Sequence, residues 1–373
     1  MDDNPSRAPA AAASTGDTRI VRTDLFVPHV STVTTDRGML LPVHVVRKRA
    51  LPSPDDIAAA DRVVLCIHGT SVPAPVAFDL EHRDYSWMEA LAREGFDVWA
   101  MSMTGYGWSA GPGMDDPANV DPDMQHHLIG YGLERPTAPH VRHALSTNQS
   151  EWDQIDTVVD YILGAAGADR LSLVVWSNGG PRGGGYASLH PDKVNRLFMH
   201  APGPSEPGAR VSREPDPVPL MTLQPRNHLF NVRWAANAPC EGQIAPEVFD
   251  VVWAAIMKYD PAGARWAEGG VMRWPSRQPY GWPDDMVRAL AVPSLVLVGE
   301  TDNPAARQAT FDLIGCPHKV SVLMDCASHF VQWEGGRHIL HRASAEWLRH
   351  GTFEGAERGE FRIDRGGRVT RER

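Results

Sequence analysis

An alternation of short apolar runs and helical segments extends over most of the chain, and it limits the possible folds more than any other feature. Six of the runs are rich in β-branched and aliphatic residues, which is typical of parallel strands buried on both faces. These runs are residues 62–67, 96–101, 171–176, 196–200, 294–298 and 320–324. Helical patterns lie between and after them, at residues 85–94, 152–163, 304–314 and 337–349.

Two earlier runs, residues 19–27 and 39–46, are separated by a turn and predict an antiparallel pair that begins the sheet. The sequence therefore predicts an α/β fold with one eight-stranded, mainly parallel sheet and helices on both faces. Residues 18–201 and 283–350 would form this core. Residues 1–17 would form a disordered leader, and residues 351–373 a C-terminal tail.

Composition excludes several classes of protein. The 373 residues carry 36 Lys and Arg against 46 Asp and Glu, a formal net charge of −10, which argues against nucleic-acid binding. No apolar run approaches the roughly 18 residues of a membrane helix. The four cysteines form no CxxC pair, so we expect reduced thiols rather than a disulfide framework or a zinc site. Residues 1–17 lack the regions of a secretory signal, so a cytoplasmic location is expected.

Two stretches interrupt the alternation. Residues 111–150 are rich in Pro, Asp and His, and a loop of that length is usually functional or poorly ordered. Residues 202–282 fall between the sixth and seventh predicted strands, and we interpret them as a helical cap over the carboxyl edge of the sheet, where such folds bind ligands. The cap is rich in tryptophan, so it predicts an apolar substrate site. We expect substrate contacts from Trp234, Trp253 and Trp274, although most cap tryptophans could simply fill the core of the cap.

The most informative segment joins a predicted strand to a predicted helix through Ser177, Asn178, Gly179 and Gly180. A sharp turn between a strand and a helix raises a serine hydroxyl above the sheet, and glycine leaves room for the close approach of the backbone. The segment resembles the G-x-S-x-G nucleophile elbow of the α/β-hydrolase superfamily, except that Val175 replaces the first glycine. The resemblance extends over roughly residues 19–349, and it implies the α/β-hydrolase sheet with an inserted cap.

The resemblance also implies an acid and a histidine base, in that order, each just after a strand. Asp302 follows the seventh predicted strand, and it matches the acid. Its neighbour Glu300 is the alternative, because Asp302 could instead support the helix start at Asn303. His329 follows the eighth strand and matches the base. Ser177, Asp302 and His329 are therefore the predicted catalytic residues.

The loop after the third predicted strand, His68-Gly69-Thr70-Ser71, resembles the oxyanion-hole segment of the same superfamily. The implied donors are the backbone N–H groups of Thr70 and Asn178, with Ser71 in reserve for the first. Two such donors stabilise the oxyanion of an acyl-transfer transition state. His68 is interpreted as a structural residue rather than as a second base.

A serine nucleophile implies an acyl-enzyme and a small-molecule substrate with a carbonyl group, most simply a carboxylic ester or a lactone. The pattern leaves open C–C bond hydrolysis of diketones, amide or thioester hydrolysis, and acyl transfer or cyclisation. A non-catalytic ligand-binding homologue is the alternative of another class. No cofactor is predicted, and a homodimer is compatible with the sequence.

Metal binding is the remaining alternative, and it concerns the histidines of residues 111–150. The candidate ligands are His126, His127, His140 and His143, with Asp121 and Asp123 nearby. Adjacent histidines point apart, and His-x-x-His needs a helix or a tight turn to converge on one ion. We therefore predict no metal site.

Overall fold

The computed structural model describes residues 19–52, 59–109, 111–205, 208–276 and 281–373. The predicted leader, residues 1–17, lies outside the described residues. The strands are β1 Arg19–Val30, β2 Leu40–Leu51, β3 Val63–Ile67, β4 Asp97–Met101, β5 Leu171–Trp176, β6 Val194–His200, β7 Met221–Pro225, β8 Val271–Pro275, β9 Ser294–Gly299, β10 Lys319–Met324, β11 Gly359–Ile363 and β12 Val369–Arg371. The α-helices are α1 Ala59–Arg62, α2 Ala74–Phe78, α3 Trp87–Arg93, α4 Asn148–Ala166, α5 Gly179–Leu189, α6 Val248–Tyr259, α7 Asp284–Ala289, α8 Pro304–Leu313 and α9 Arg337–His350.

Within the described residues, ten strands form one sheet in the order β1-β2-β4-β3-β5-β6-β9-β10-β11-β12. In this order the strands β4, β3, β5, β6, β9, β10 and β11 are parallel to one another. At one end β2 pairs antiparallel with both β1 and β4, and at the other β12 pairs antiparallel with β11. The predicted α/β sheet is confirmed, and all eight expected strands are present. Strands β3 and β5 are buried on both faces, as their unbroken apolar sequences indicate.

The sheet has two strands more than expected, and both come from the stretch predicted to be a tail. Strand β11 pairs with β10 in parallel, and β12 folds back on β11. Phe361 and Ile363 turn inward and are buried, while the residues between and around them are charged. This alternation over only five residues is weak, so the many charges of the segment concealed an edge strand.

The two stretches that interrupt the alternation pack against each other. Strands β7 and β8 form a separate antiparallel pair, and Val120 bridges to Met221 at its edge. Together they enclose a second apolar cluster, whose buried members are Met114, Val120, Leu128, Leu145, Leu220, Met221, Leu223, Trp266 and Val271. Helix α6 and Trp234 belong to the main core instead. The residues predicted as a cap are thus divided between the main core and the second cluster.

Cys240 and Cys326 form a disulfide with their Cα atoms 5.7 Å apart, so the expectation of four reduced thiols is wrong for this pair. The two cysteines are 86 residues apart in sequence, so no local spacing pattern reveals the bond. Cys66 and Cys316 are free and buried. None of the described helices has the length and apolar character needed to cross a membrane.

Candidate active site

Ser177 occupies the sharp turn between β5 and α5. Its φ of 56° lies in the left-handed region, which is uncommon for a residue other than glycine and is a mark of functional turns. The turn is fixed by backbone hydrogen bonds: Ser177 N–H donates to the carbonyl of His200 at 3.1 Å, and Gly180 and Gly203 each donate to the carbonyl of Ser177 at 2.8 Å. A Cβ added at Gly179 would lie 2.3 Å from the carbonyl oxygen of Ile67, so that position requires glycine.

The valine at the first glycine position of the G-x-S-x-G motif is accommodated by a glycine on the next helix. Val175 is fully buried, and a Cβ added at Gly183 would lie 2.5 Å from its Cγ1. The two following glycines of α5 similarly admit Trp282 and Trp152. The first of the three consecutive glycines of α5 therefore makes room for the valine that replaces the first glycine of the motif. This run of glycines is visible in the sequence, but it was not part of the prediction.

Asp302 and His329 lie on the loops that follow two neighbouring strands, β9 and β10. Oδ2 of Asp302 is 2.9 Å from Nδ1 of His329, and both side chains are partly buried. Asn303 begins α8 as its N-cap, and its side chain accepts from Ala306 N–H at 3.2 Å, so Asp302 is free of the capping role. The alternative acid, Glu300, points elsewhere: its carboxylate accepts from Cys326 N–H and faces Arg362.

A cavity of about 140 Å³ brings the three predicted catalytic residues together. Its lining consists of Ser177, Ala201, Pro202, Gly203, Pro204, Val298, Asp302, Asn303, Ala306 and His329. Sequence analysis missed the segment 201–204, although a Pro-Gly-Pro sequence directly after a strand at this edge of the sheet was a usable signal. The tryptophans Trp234, Trp253 and Trp274 are not part of this lining. Their contact with substrate stays a prediction.

The loop after β3 lies against Ser177. A Cβ added at Gly69 would be 2.6 Å from Cβ of Ser177 and 3.1 Å from its Oγ. Among the described residues, the backbone N–H groups of Thr70 and Asn178 have no protein acceptor, so both are available to a ligand. Within the same described residues the Ser71 N–H also lacks a protein acceptor, so the reserve donor stays a prediction beside Thr70.

A carboxylate beneath the histidine loop connects that loop to the segment 234–243. Glu334 is fully buried, and no ion pair to its carboxylate is present in the described part of the chain, while Arg337 donates to its backbone carbonyl at 3.1 Å. It accepts hydrogen bonds from the Trp234 indole at 2.8 Å, the Gln243 amide at 2.9 Å and both the backbone and the hydroxyl of Ser328. These bonds hold Ser328 in place directly before His329.

The residue predicted as the base, His329, has an uncharged histidine as its neighbour. His200 is buried under His329, and burial lowers the pKa of His200 to about 4. The ring is therefore uncharged at neutral pH and does not compete with His329 for a proton. Its Nε2 lies 3.2 Å from the amide oxygen of Gln332, which fixes its orientation.

The histidines of residues 111–150 lie apart from this cavity. The rings of His126 and His127 are in contact, with centroids 3.9 Å apart, and His140 pairs with Asp116 at 2.6 Å. Within the ranges that the structure describes, no group of three or more His, Cys, Asp or Glu side chains is arranged to hold a metal ion.

With this geometry, comparison with known proteins identifies the family. The α/β hydrolase fold family model matches residues 62–336, which is most of the chain, so the protein belongs to the α/β hydrolases. No curated protein matches the sequence.

Solved structures of low sequence identity are similar to this chain. The thioesterase domain from the curacin biosynthetic pathway is 16% identical, with a TM-score of 0.51 over 88% of this chain and 99% of that domain. The naproxen esterase from Bacillus subtilis is 14% identical, with a TM-score of 0.49 over 87% and 91%. The meta-cleavage product hydrolase of Pseudomonas fluorescens IP01 is 13% identical, with a TM-score of 0.49 over 87% and 98%. At these identities the likeness concerns the fold alone.

Proposed function

We propose that this α/β hydrolase is a serine hydrolase that cleaves carboxylic esters or lactones through an acyl-enzyme on Ser177. The observation that carries the proposal is the shared cavity, in which Ser177 lies in a positive-φ turn together with the hydrogen-bonded pair of Asp302 and His329. A serine hydroxyl needs a base to act as a nucleophile, and the base needs an acceptor that fixes its tautomer. These residues supply both requirements.

The reaction proceeds in two steps. In the first, Ser177 Oγ attacks the substrate carbonyl while Nε2 of His329 accepts the hydroxyl proton. The oxyanion that forms accepts hydrogen bonds from the backbone N–H groups of Thr70 and Asn178. The C–O bond then breaks, and His329 returns the proton to the departing alkoxide. In the second step a water molecule attacks the acyl carbonyl while His329 accepts its proton. The bond between the acyl carbon and Ser177 Oγ then breaks, His329 returns the proton to Oγ, and the acid is released.

The size and chemistry of the cavity support a substrate with a small group at the reacting centre. Its volume is about 140 Å³, and Ala201, Pro202, Val298 and Ala306 give it an apolar wall. Apolar pockets favour aliphatic acyl or alkoxy groups by roughly 0.8 kcal/mol for each buried methylene. Short-chain esters and small lactones are therefore the proposed substrates.

Active-site labelling tests the nucleophile. A fluorophosphonate should label the wild-type protein once per chain at Ser177, and the Ser177→Ala variant should remain unlabelled. Ester hydrolysis by Ser177→Ala should fall at least about 10³-fold, because the catalytic residues act as a unit. Ser188→Ala, on the helix α5 that follows Ser177, is a matched control that should label normally. Equal turnover by Ser177→Ala and wild type would refute the proposal. A panel of p-nitrophenyl esters, lactones and a diketone would then identify the bond that is cleaved.

A further inference from the structure

A buried arginine lies behind the loop that carries Thr70. Arg182 belongs to α5 and is 4% exposed. Its Nε and Nη2 donate to the two carboxylate oxygens of Glu151, at 3.0 and 2.7 Å, across the contact between α5 and α4. A buried guanidinium is very costly unless its donors are satisfied, and a bidentate pair fixes its orientation. The position of Arg182 is thus set by two helices of the core.

The third nitrogen of this guanidinium, Nη1, is directed at the loop after β3. Nη1 of Arg182 lies 3.3 Å from the carbonyl oxygens of both His68 and Gly69. The contact of the Arg182 guanidinium with these two carbonyl oxygens holds the backbone of the loop in place. The positive charge also draws electron density through the Gly69–Thr70 peptide, which strengthens the N–H of that peptide as a donor.

The imidazole of His68 acts on the same carbonyl. Its Nε2 accepts from Met103 N–H at 2.9 Å, so the ring proton is on Nδ1, which donates to the Gly69 oxygen at 2.6 Å. Burial and the neighbouring Arg182 lower the pKa of His68 to about 3, so this neutral tautomer persists at neutral pH. The Gly69 carbonyl therefore receives two donors from within the core.

The direction of one carbonyl determines the direction of the next N–H. A trans peptide is planar, and its C=O and N–H point in opposite directions. With the Gly69 oxygen held toward Arg182 and His68, the Thr70 N–H points away from them, and it has no protein acceptor among the described residues. Gly69 itself lies against Ser177.

We infer that Arg182 is a positioning residue that orients the Thr70 N–H as an oxyanion donor, a role that rests on the proposed serine-hydrolase function. Arg182 is not one of the described residues that line the cavity, and it acts through the Gly69–Thr70 peptide. Glu151 neutralises the guanidinium and keeps it on the far side of that peptide, so the oxyanion interacts with the N–H and not with the cation itself.

The experiment compares Arg182→Lys with Arg47→Lys. Lysine keeps the charge but cannot pair with Glu151 in a bidentate manner and reach both carbonyls. Arg47 is the matched control, because it forms a bidentate pair with Asp97 at 2.8 and 2.6 Å, at the amino end of β4 and away from Ser177. Each variant is assayed for kcat and KM on a short p-nitrophenyl ester, for inhibition by a trifluoromethyl ketone, which forms a tetrahedral adduct, and for inhibition by the planar carboxylic acid product.

For Arg182→Lys we expect kcat to fall roughly 10- to 100-fold, below the loss of a whole oxyanion donor, with KM within about twofold. Affinity for the trifluoromethyl ketone should fall by a similar factor, and affinity for the product acid should not change. Arg47→Lys should lower the melting temperature without altering the ratio of the two inhibitor affinities.

A folded Arg182→Lys variant with wild-type kcat and ketone affinity would overturn the inference, as would equal losses of ketone and acid affinity. If Arg182→Lys does not fold, Glu151→Gln is used instead. The amide keeps the shape of the carboxylate but weakens the bidentate hydrogen bonds to Arg182. The same selective loss of ketone affinity is then expected, and its absence would overturn the inference. Failure of the proposed function is distinguishable, since wild-type protein would then take up no fluorophosphonate and bind no ketone.

Discussion

Oδ2 of Asp302 lies 2.9 Å from Nδ1 of His329, although the two residues belong to separate loops at the carboxyl ends of β9 and β10. This bond occupies one ring nitrogen and leaves Nε2 as the nitrogen available to the hydroxyl of Ser177. The pairing of β9 with β10 in parallel register brings the two loops to the same edge of the sheet.

The acid can be tested by exchanging carboxylates for amides. Asp302→Asn should lower kcat about 10³- to 10⁴-fold, because the amide stabilises the wrong tautomer of His329. Glu300→Gln should leave kcat within a few-fold of wild type, since Glu300 contacts Cys326 and Arg362 instead. Steady-state kinetics on one ester would decide between them. The opposite ranking would assign the acid to Glu300.

The close packing of Gly69 on Ser177 predicts that a single methyl group disrupts the site. Gly69→Ala would set a Cβ 2.6 Å from Cβ of Ser177, so the loop or the serine must shift. We expect a fall in kcat of roughly 10²-fold, comparable to the loss of an oxyanion donor. Gly164→Ala is the control, because open space surrounds that position on α4, and it should keep full activity. Wild-type kinetics for Gly69→Ala would contradict the described packing.

The lining of the cavity predicts which residues select the substrate. Ala306→Leu should narrow the cavity and shift the preference among p-nitrophenyl esters toward shorter chains, since Ala306 lines it. Truncation of Trp253, whose indole donates to Gly269 at 2.9 Å, should lower the melting temperature instead. Chain-length profiles of both variants make the comparison. A profile that shifts only for Trp253→Ala would return selection to the tryptophans of the cap.

The disulfide joins the segment before Gln243 to the loop that carries His329. Closing a loop of this length typically contributes about 2 to 4 kcal/mol, so Cys240→Ser should lower the free energy of unfolding by that amount. Urea titration measures it, and Cys326→Ser should give the same loss. Thiol titration of the denatured protein should find two free thiols before reduction and four after it. Disulfides are typical of proteins in oxidising surroundings, whereas the composition predicted a reduced protein. Four free thiols before reduction would contradict the disulfide and support that earlier expectation.

Five described histidines are buried and have a lowered pKa, which predicts that acid destabilises the fold; they are His29, His44, His68, His200 and His341. Burial lowers the pKa of His68 and His341 to about 3, and that of His200 to about 4, against an ordinary value near 6.5. Between those values the unfolded chain binds protons that the folded chain does not, so stability is fully present above pH 6.5 and is lost as the pH falls. Each histidine adds a slope of about 1.4 kcal/mol per pH unit.

His341→Phe should lower the pH dependence of stability by the contribution of one proton and leave kcat unchanged. His341 stacks on Trp87 away from the cavity, and its Nε2 has no hydrogen-bond partner among the described residues. Urea unfolding at several pH values between 4 and 7 measures the slopes. Identical slopes for the variant and the wild type would mean that His341 is protonated in the folded protein.

The sequence by itself determined which candidate site residues follow the predicted strands, and in what order along the chain. Strand-forming runs are recognised by local composition, and the residues just after them necessarily meet at one edge of a parallel sheet. Ser177, Asp302 and His329 each follow such a run. The resemblance of their segments to the α/β-hydrolase superfamily then gave them, with Thr70 and Asn178, their predicted roles. The N-cap at Asn303 is a local property, set by neighbours within a few residues. The positive φ of Ser177 is also held by backbone bonds to His200 and Gly203, which are distant in sequence.

Tertiary structure decided whatever depends on contacts between distant segments. The compensation of Val175 by Gly183 involves two elements that cross, and the pairing of Cys240 with Cys326 joins residues that no spacing relates. The cavity lining by residues 201–204, the charge pair of Arg182 with Glu151 behind the Thr70 loop and the added strands of the C-terminal segment are of the same nature. Periodicity reports which face of an element is buried, but it carries no information about the partner against which that face packs.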